Sequence, residues 1–93
     1  MFYYVYVLQS LKDNHFYTGS TANLEQRIAD HNAGKTKSTQ NRRPLKLIYF
    51  EGYLNKIDAA KREIFLKSGS GKRYIKKQLA HYLNLNLLIN NKK

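Results

Sequence analysis

At 93 residues, with 42% of them hydrophobic, the chain has room for one small domain with a modest core. It has 17 lysines and arginines but only 6 acidic residues, which gives a net charge of +11. This charge favours a polyanionic partner, with nucleic acid the first expectation and an anionic membrane surface the second. Cysteine is absent, which excludes disulfides and thiolate metal sites and fits a reducing compartment.

The first predicted elements form a β-hairpin. Residues 2–8, FYYVYVL, are aromatic and β-branched and predict a strand that is buried on both faces. Turn residues at Lys12–Asn14 separate it from a second short strand at His15–Gly19. The N-terminus lacks the features of a signal peptide, and no apolar run approaches the ~20 residues that span a bilayer. We therefore expect a cytoplasmic protein that makes no use of a membrane.

A helix and a third strand follow the hairpin. Asn23 and Gln26 have the spacing of a capping box, and Gly34 is typical of the left-handed residue that ends a helix. Residues 35–44, KTKSTQNRRP, are basic and polar without periodicity and predict a loop. Residues 45–53, LKLIYFEGY, predict the third strand.

Two further helices complete the predicted fold. One starts at Asn55 and ends at the SGSG of Ser68–Gly71, and the next begins near Ser70 with an apolar stripe opposite a basic face. The order β-β-α-β-α-α predicts an α+β fold, a small three-stranded antiparallel sheet flanked by helices. We assign residues 1–82 to one domain and residues 83–93, whose pattern fits either a strand or a fraying helix, to a C-terminal tail.

Polar side chains on the first two strands and the first helix are candidates for chemistry. Tyr6 and Tyr17 lie on hairpin partners and can approach each other across the hairpin, although strand tyrosines are more often packing residues. Arg27 and His31 are four residues apart and share one helix face. The alternative is that Arg27 extends to solvent and His31 is a hydrogen-bonded residue at the core boundary.

Glu63 is the candidate metal ligand, because it is one of only six acidic residues and sits within the second helix. Mg²⁺ often takes one or two carboxylates together with substrate phosphates. The alternative is an ion pair between Glu63 and Lys67, which have the favourable helical spacing. A zinc site is disfavoured, because the chain has three histidines and no cysteine.

These residues, taken in order, resemble the GIY-YIG nuclease family. YVY at Tyr4–Tyr6 and YTG at Tyr17–Gly19 are similar to the signature, and ten residues separate the two key tyrosines. An arginine and a histidine four apart and then a glutamate follow in the family's order. The resemblance covers residues 2–80 and is strongest to the small stand-alone, single-domain branch, with similarity also to the nuclease module of the excision-repair subunit UvrC. Tyr4, Val5 and Thr18 depart from the signature letters.

The resemblance implies a metal-dependent endonuclease that hydrolyses phosphodiester bonds in DNA, in repair or recombination. It implies that Tyr6 deprotonates the attacking water with His31 as proton acceptor, and that Tyr17 orients water or phosphate, although the two tyrosines could exchange roles. Arg27 would hold the scissile phosphate, and Glu63 would anchor one Mg²⁺ or Mn²⁺.

The resemblance also implies that Gly19 lets the chain turn tightly into the following loop. The competing interpretations are a nucleic-acid-binding module that keeps the fold without catalysis, and an adaptor that docks on a protein or on a nucleoprotein particle. DNA is favoured over RNA as the partner, and with no second domain a protein partner could supply specificity.

Basic side chains in two segments are candidate phosphate contacts, which give affinity without sequence choice, and the alternative is a solvated basic surface. They are Lys35, Lys37, Arg42 and Arg43 in the loop, and Lys67, Lys72, Arg73, Lys76 and Lys77 around the last predicted helix.

Overall fold

The computed structural model describes the backbone of residues 1–91 and the side chains of residues 1–85. In chain order the elements are β1 (Tyr3–Ser10), β2 (Phe16–Thr21), α1 (Leu24–Asn32), β3 (Leu45–Tyr53), α2 (Lys56–Lys67), α3 (Gly69–Gln78) and α4 (Ala80–Asn91). The predicted α+β class and the order of its first six elements are confirmed. The sequence pattern of the predicted tail, residues 83–93, fitted either a strand or a helix. The structure has a helix there, α4, which begins at Ala80, before the predicted start of the tail.

The chain divides into two compact units. The first, Met1–Glu63, holds the sheet, α1 and most of α2, and the second begins at Ile64 and holds the end of α2 with α3 and α4. The boundary that we predicted between a domain at 1–82 and a tail at 83–93 stays a prediction. Within the described residues, no helix is both long and apolar enough to cross a bilayer.

The sheet has the order β2-β1-β3, and all of its pairings are antiparallel. β1 is central, and its residues 5–10 are all buried, which explains the unbroken apolar run at its start. Tyr6 faces Gly19 and Leu8 faces Tyr17 in the β1–β2 register. β2 is therefore an edge strand, with one side paired to β1.

One face of the sheet carries the core that packs on α1. Tyr6, Leu8 and Leu45 are buried there, and the partly buried Tyr17, Leu24, Ile28 and Leu47 pack against them. The predicted cap of α1 is confirmed, because the Asn23 side chain accepts a hydrogen bond of 3.2 Å from the Gln26 backbone N–H. Gly34 follows the helix at φ +79°, the left-handed conformation expected there.

Glu51 connects the opposite face of the sheet to α2. It is the cross-strand partner of Val5, so its side chain is on the face opposite to that of Tyr6. The Glu51 carboxylate accepts two hydrogen bonds from Arg62, at 2.8 and 2.9 Å, and one each from the hydroxyls of Tyr49 and Tyr53. Burial raises the pKa of Glu51, but these donors outweigh it and hold the pKa below its ordinary value. A bidentate ion pair thus fixes the turn of α2 that carries Glu63.

In the second unit, α3 begins close against the end of α2. The Ser68 hydroxyl caps α3 by accepting from the Gly71 N–H at 3.1 Å. Gly71 is buried, and a Cβ there would lie 2.7 Å from the Phe65 carbonyl carbon and 2.5 Å from the Leu66 Cα. Because these are backbone atoms, they cannot move aside cheaply. The glycine at 71 is therefore needed for close approach rather than for an unusual φ.

We predict that Gly71→Ala lowers the free energy of unfolding by about 3 kcal/mol, the cost of forcing a methyl group into a packed site. Gly69→Ala is the matched control in the same helical turn, because a Cβ there meets only one side-chain atom, Arg73 Nη1, at 3.6 Å. Gly69→Ala should leave stability unchanged or raise it by up to about 1 kcal/mol through helix propensity. Urea unfolding of both variants tests this, and similar midpoints for the two would contradict it.

Candidate active site

The buried hydroxyl of Tyr6 is the centre of a hydrogen-bonded chain. It lies 3.0 Å from His31 Nε2, and Arg27 Nε donates to it over a longer distance of 3.4 Å. On the far side of the imidazole, His31 Nδ1 lies 2.7 Å from the hydroxyl of Thr39. Tyr6, His31 and Thr39 are all buried. Tyr6, Arg27 and His31, three of the five predicted catalytic residues, are thus joined by direct hydrogen bonds.

The donors in this chain follow from what each group can do. A guanidinium can only donate, so the Tyr6 oxygen accepts from Arg27 and its own proton can go to His31 Nε2. A neutral imidazole that accepts at Nε2 carries its proton on Nδ1, where Thr39 can accept it. Burial, and next the positive charge of Arg27, lower the pKa of His31 below its ordinary value, against the weaker pull of Asp30. His31 is therefore neutral and able to take a proton at neutral pH.

Thr39 is a site residue that sequence reasoning missed. It lies in the segment predicted as a polar, basic loop, and its side chain is fully buried against His31. A single threonine among polar residues without periodicity carries no local signal of burial. Its position depends on how the 35–44 segment returns to α1, which is a tertiary property.

The role predicted for Gly19 is wrong, because Gly19 lies inside β2 and does not form a turn. Tyr6 is its cross-strand partner, and the phenol ring lies over it. A Cβ at position 19 would clash with the Tyr6 hydroxyl and lie 2.7 Å from the ring carbon Cζ. The glycine is needed because the ring crosses the neighbouring strand towards His31.

Tyr17 is on the same face of the sheet as Tyr6. It pairs with Leu8 in the β1–β2 register and packs, partly buried, on the cluster that contains Tyr6. Tyr6 and Tyr17 were expected to approach each other across the hairpin, and both belong to the same packed face of the sheet. A role for Tyr17 in orienting water or phosphate stays a prediction.

Glu63 contacts the sheet on the face opposite to that of the Tyr6 side chain. Its half-buried carboxylate accepts a hydrogen bond of 2.7 Å from the hydroxyl of Ser20. Side chains alternate along a strand, so Ser20 and its neighbour Gly19 face opposite sides of β2. The Tyr6 chain and Glu63 thus reach the same edge strand from its two faces. Ser20 is the second site residue that sequence reasoning missed.

The donors around Glu63 suit Mg²⁺ better than a metal that needs a complete protein ligand set. Among the described residues, no group of three or more His, Cys, Asp or Glu side chains could hold a metal ion. One carboxylate beside a hydroxyl is a hard oxygen pair, and Mg²⁺ fills its remaining positions with water and substrate phosphate.

A small cavity adjoins Ser20 on the α2 side. Its volume is about 230 Å³. Its lining comes from the ends of β1 and β2 and the first half of α2, namely Tyr3, Ser20, Thr21, Ala22, Lys56, Ala59 and Ala60. Ser20, the hydroxyl partner of Glu63, is the residue that this cavity shares with the candidate site.

Three of the four basic side chains predicted as phosphate contacts in the 35–44 loop also contact protein groups. Arg42 pairs with Asp13 at 2.9 Å, and Arg43 donates to the Gln40 carbonyl at 2.8 Å. Lys35 lies 3.7 Å from Asp30, an exposed pair of small energetic weight. These contacts order the loop around Thr39, and phosphate binding by the loop stays a prediction.

The five predicted phosphate contacts of the second unit are exposed: Lys67 at the end of α2, and Lys72, Arg73, Lys76 and Lys77 on α3. Ile75 is buried on the same helix, away from these exposed basic residues. The predicted apolar stripe does not continue along one helix, because α3 ends at Gln78 and α4 begins at Ala80. The use of this surface for phosphate binding stays a prediction.

Most of the chain matches a known domain family. The GIY-YIG catalytic domain matches residues 2–78. The chain belongs to the GIY-YIG family. A UPF0213 protein of Staphylococcus haemolyticus is 47% identical over 75 residues, which are 80% of this chain and 90% of that protein. A UPF0213 protein of Clostridium perfringens is 51% identical over 65 residues, 69% of each.

A solved structure extends the relationship to three dimensions. The solution NMR structure of a UPF0213 protein from Bacillus halodurans matches with a TM-score of 0.53 and 33% sequence identity. The match covers 84% of this chain and 85% of that one. This GIY-YIG protein is thus similar to small single-domain members of the family over most of its length.

We predict that the free energy of unfolding falls as the pH is lowered through about 6.5, where His31 takes a proton more readily in the unfolded than in the folded chain. The contribution of His31 is complete above pH 6.5 and is lost between 6.5 and its lower folded-state pKa. Urea unfolding at steps from pH 7.5 to 5 measures it. His31→Gln should flatten the decline, whereas the exposed control His81→Gln should keep it. Equal pH slopes in wild type and His31→Gln would contradict the prediction.

Proposed function

We propose that this GIY-YIG protein is a metal-dependent nuclease that hydrolyses phosphodiester bonds, with DNA as its preferred substrate and Mg²⁺ or Mn²⁺ as its metal. The supporting observation is the buried Tyr6–His31–Thr39 chain with Arg27 on the phenol oxygen. Packing in a core does not require a phenol, here that of Tyr6, to be hydrogen-bonded to both a neutral imidazole and a guanidinium. General base catalysis beside an anionic substrate calls for all three.

In this proposal Tyr6 acts as the base through His31. A free tyrosine has an ordinary pKa near 10 and is a poor base at neutral pH. When the Tyr6 oxygen takes a proton from the attacking water, its own phenolic proton passes to His31 Nε2. Thr39 accepts from Nδ1–H and stabilises the imidazolium that forms. The number of protons is conserved, and no full phenolate has to accumulate.

Arg27 holds the scissile phosphate. Its guanidinium is partly exposed, donates to the Tyr6 oxygen through Nε, and has four further N–H bonds for phosphate oxygens. One side chain therefore sets the distance between the base and the phosphate. Its fixed positive charge also stabilises the extra negative charge of the pentavalent transition state.

Glu63 is the proposed metal ligand, and Ser20 orients its carboxylate. When bound, the ion supplies Lewis acid stabilisation of the leaving oxygen. Both Glu63 and the Tyr6 hydroxyl reach β2, one from each face, and β2 is an edge strand with an unpaired side. A phosphodiester that lies along this edge can contact both. The net charge of +11 supplies long-range attraction, and the expected location is the cytoplasm.

We predict metal-dependent cleavage that Glu63→Gln and Tyr6→Phe each reduce by about 10²–10⁴-fold, the usual contribution of a positioned acid–base group or metal. The assay uses labelled duplex, single-stranded and branched DNA and RNA at low salt, with Mg²⁺, Mn²⁺ or chelator. Asp58→Asn on the same helix as Glu63, and Tyr74→Phe in α3, are matched controls that should retain activity.

Binding of these substrates without products would instead support the non-catalytic nucleic-acid-binding module. Products that persist in both Glu63→Gln and Tyr6→Phe would place cleavage in another site or a contaminant. Loss of activity in Asp58→Asn as well would point to a general effect of acidic substitutions on α2 rather than to a metal ligand.

We also predict that the single-turnover cleavage rate falls on the acid side with a midpoint below pH 6.5, because only neutral His31 can accept the proton and its pKa is lowered. Asp30 raises that pKa slightly, so Asp30→Asn should move the acid limb to still lower pH. A rate profile measured at saturating metal tests both statements. A midpoint above 6.5, or a limb that moves upward in Asp30→Asn, would argue against His31 as the proton acceptor.

A further inference from the structure

An exposed group of aromatic rings lies at the end of the sheet, outside the candidate active site. We define the aromatic patch as Phe2, Tyr4 and Phe50. The Phe2 and Tyr4 ring centroids are 6.2 Å apart, and those of Tyr4 and Phe50 are 6.0 Å apart with an edge-to-face tilt. Phe2 is 48% exposed and Phe50 is 53% exposed. These rings contact one another and still present much of their surface to water.

The patch is on the same face of the sheet as the Tyr6 hydroxyl. Tyr4 and Tyr6 are two residues apart on β1, and Phe50 is the cross-strand partner of Tyr6 on β3. Gly52 faces Tyr4, and a Cβ there would come within 3.2 Å of the Phe2 ring. The absence of a side chain at 52 thus lets the ring lie across β3. The groove beside the patch begins at the N-terminal end of α1, the helix that also carries Arg27.

A groove next to the patch combines an aromatic wall with polar groups. Its volume is about 370 Å³, within the range of small-ligand pockets. Tyr4 and Phe50 line it together with the start of α1, including Leu24, and the side chains of Asn23 and Glu25 supply amide and carboxylate groups. Flat rings beside hydrogen-bonding groups suit a nucleobase, which has a π-face and a polar edge.

We propose that the aromatic patch stacks unpaired bases next to the scissile phosphate, so that the substrate class is nucleic acid with single-stranded nucleotides. This inference rests on the proposed nuclease function. The net charge of +11 attracts any phosphate backbone and makes no choice among structures. Exposed rings gain nothing from a duplex, whose bases are already stacked, and gain contact area from a base that is free to leave its strand.

Binding without metal tests the inference separately from cleavage. The probes are an oligothymidine with one central 2-aminopurine and a blunt hairpin duplex of equal charge, both in chelator. Phe50→Ala should weaken binding of the single strand by about 10-fold, within the ~5–100-fold range of one stacked base, and remove the quenching of 2-aminopurine fluorescence. Binding of the duplex should change less than about 2-fold, because its phosphate contacts remain.

Two control variants separate stacking from general effects. Phe50→Trp keeps a ring and should retain single-strand affinity and quenching, whereas Ile57→Ala removes another exposed apolar side chain and should change neither. Equal losses for single strand and duplex, or no loss in Phe50→Ala, would overturn the proposal. So would a dimer in sedimentation that Phe50→Ala dissociates, because it would assign the patch to a second copy of the chain. Stacking without cleavage would leave this inference standing while the nuclease proposal failed.

Discussion

The passage of the Tyr6 ring over Gly19 is the constraint on which the candidate site depends. A tyrosine at a central strand position normally points straight up from the sheet into the core. Here the ring extends over β2, and its hydroxyl reaches His31 on α1. A buried hydroxyl needs partners, and His31 and Arg27 provide them only if α1 lies where its capped start places it. One missing side chain thus allows a polar group to sit inside a small apolar face.

Two carboxylates on the α2 side of the sheet, Glu51 and Glu63, have different surroundings. Glu51 is fully engaged by Arg62 and two tyrosine hydroxyls, and these donors keep its pKa low. Such a carboxylate has few lone pairs left for an ion. Glu63, one residue along the helix from Arg62, instead receives the short Ser20 hydroxyl bond at the β2 edge. The ion pair of Glu51 helps to set the position of α2, and with it the position of Glu63 beside Ser20.

The sequence predicted those parts of the site that depend on local spacing. Helical periodicity places Arg27 and His31 on one face, and hairpin pairing places Tyr6 and Tyr17 on partner strands. The link between Tyr6 and His31 came from the resemblance to the GIY-YIG family. Thr39 and Ser20 could not be found in this way, because their hydrogen bonds to His31 and to Glu63 depend on how the 35–44 segment and α2 pack in the folded chain. Gly19 was singled out correctly and explained wrongly. A glycine that makes room for a neighbouring ring has the same local signature as one that turns the chain.

Gly52 repeats the arrangement of Gly19 on the other side of β1. Each glycine faces a tyrosine of β1, and each leaves space where an aromatic ring can cross a neighbouring strand. At Gly19 the ring is buried and its hydroxyl is bonded, which suits a group that moves a proton. At Gly52 the rings are half exposed and present apolar faces, which suits contact with another flat ring. The same arrangement on the two strands that flank β1 therefore gives one sheet face a polar centre and an aromatic margin. The margin offers stacking surface to an unpaired base, which the positive charge of the domain alone does not.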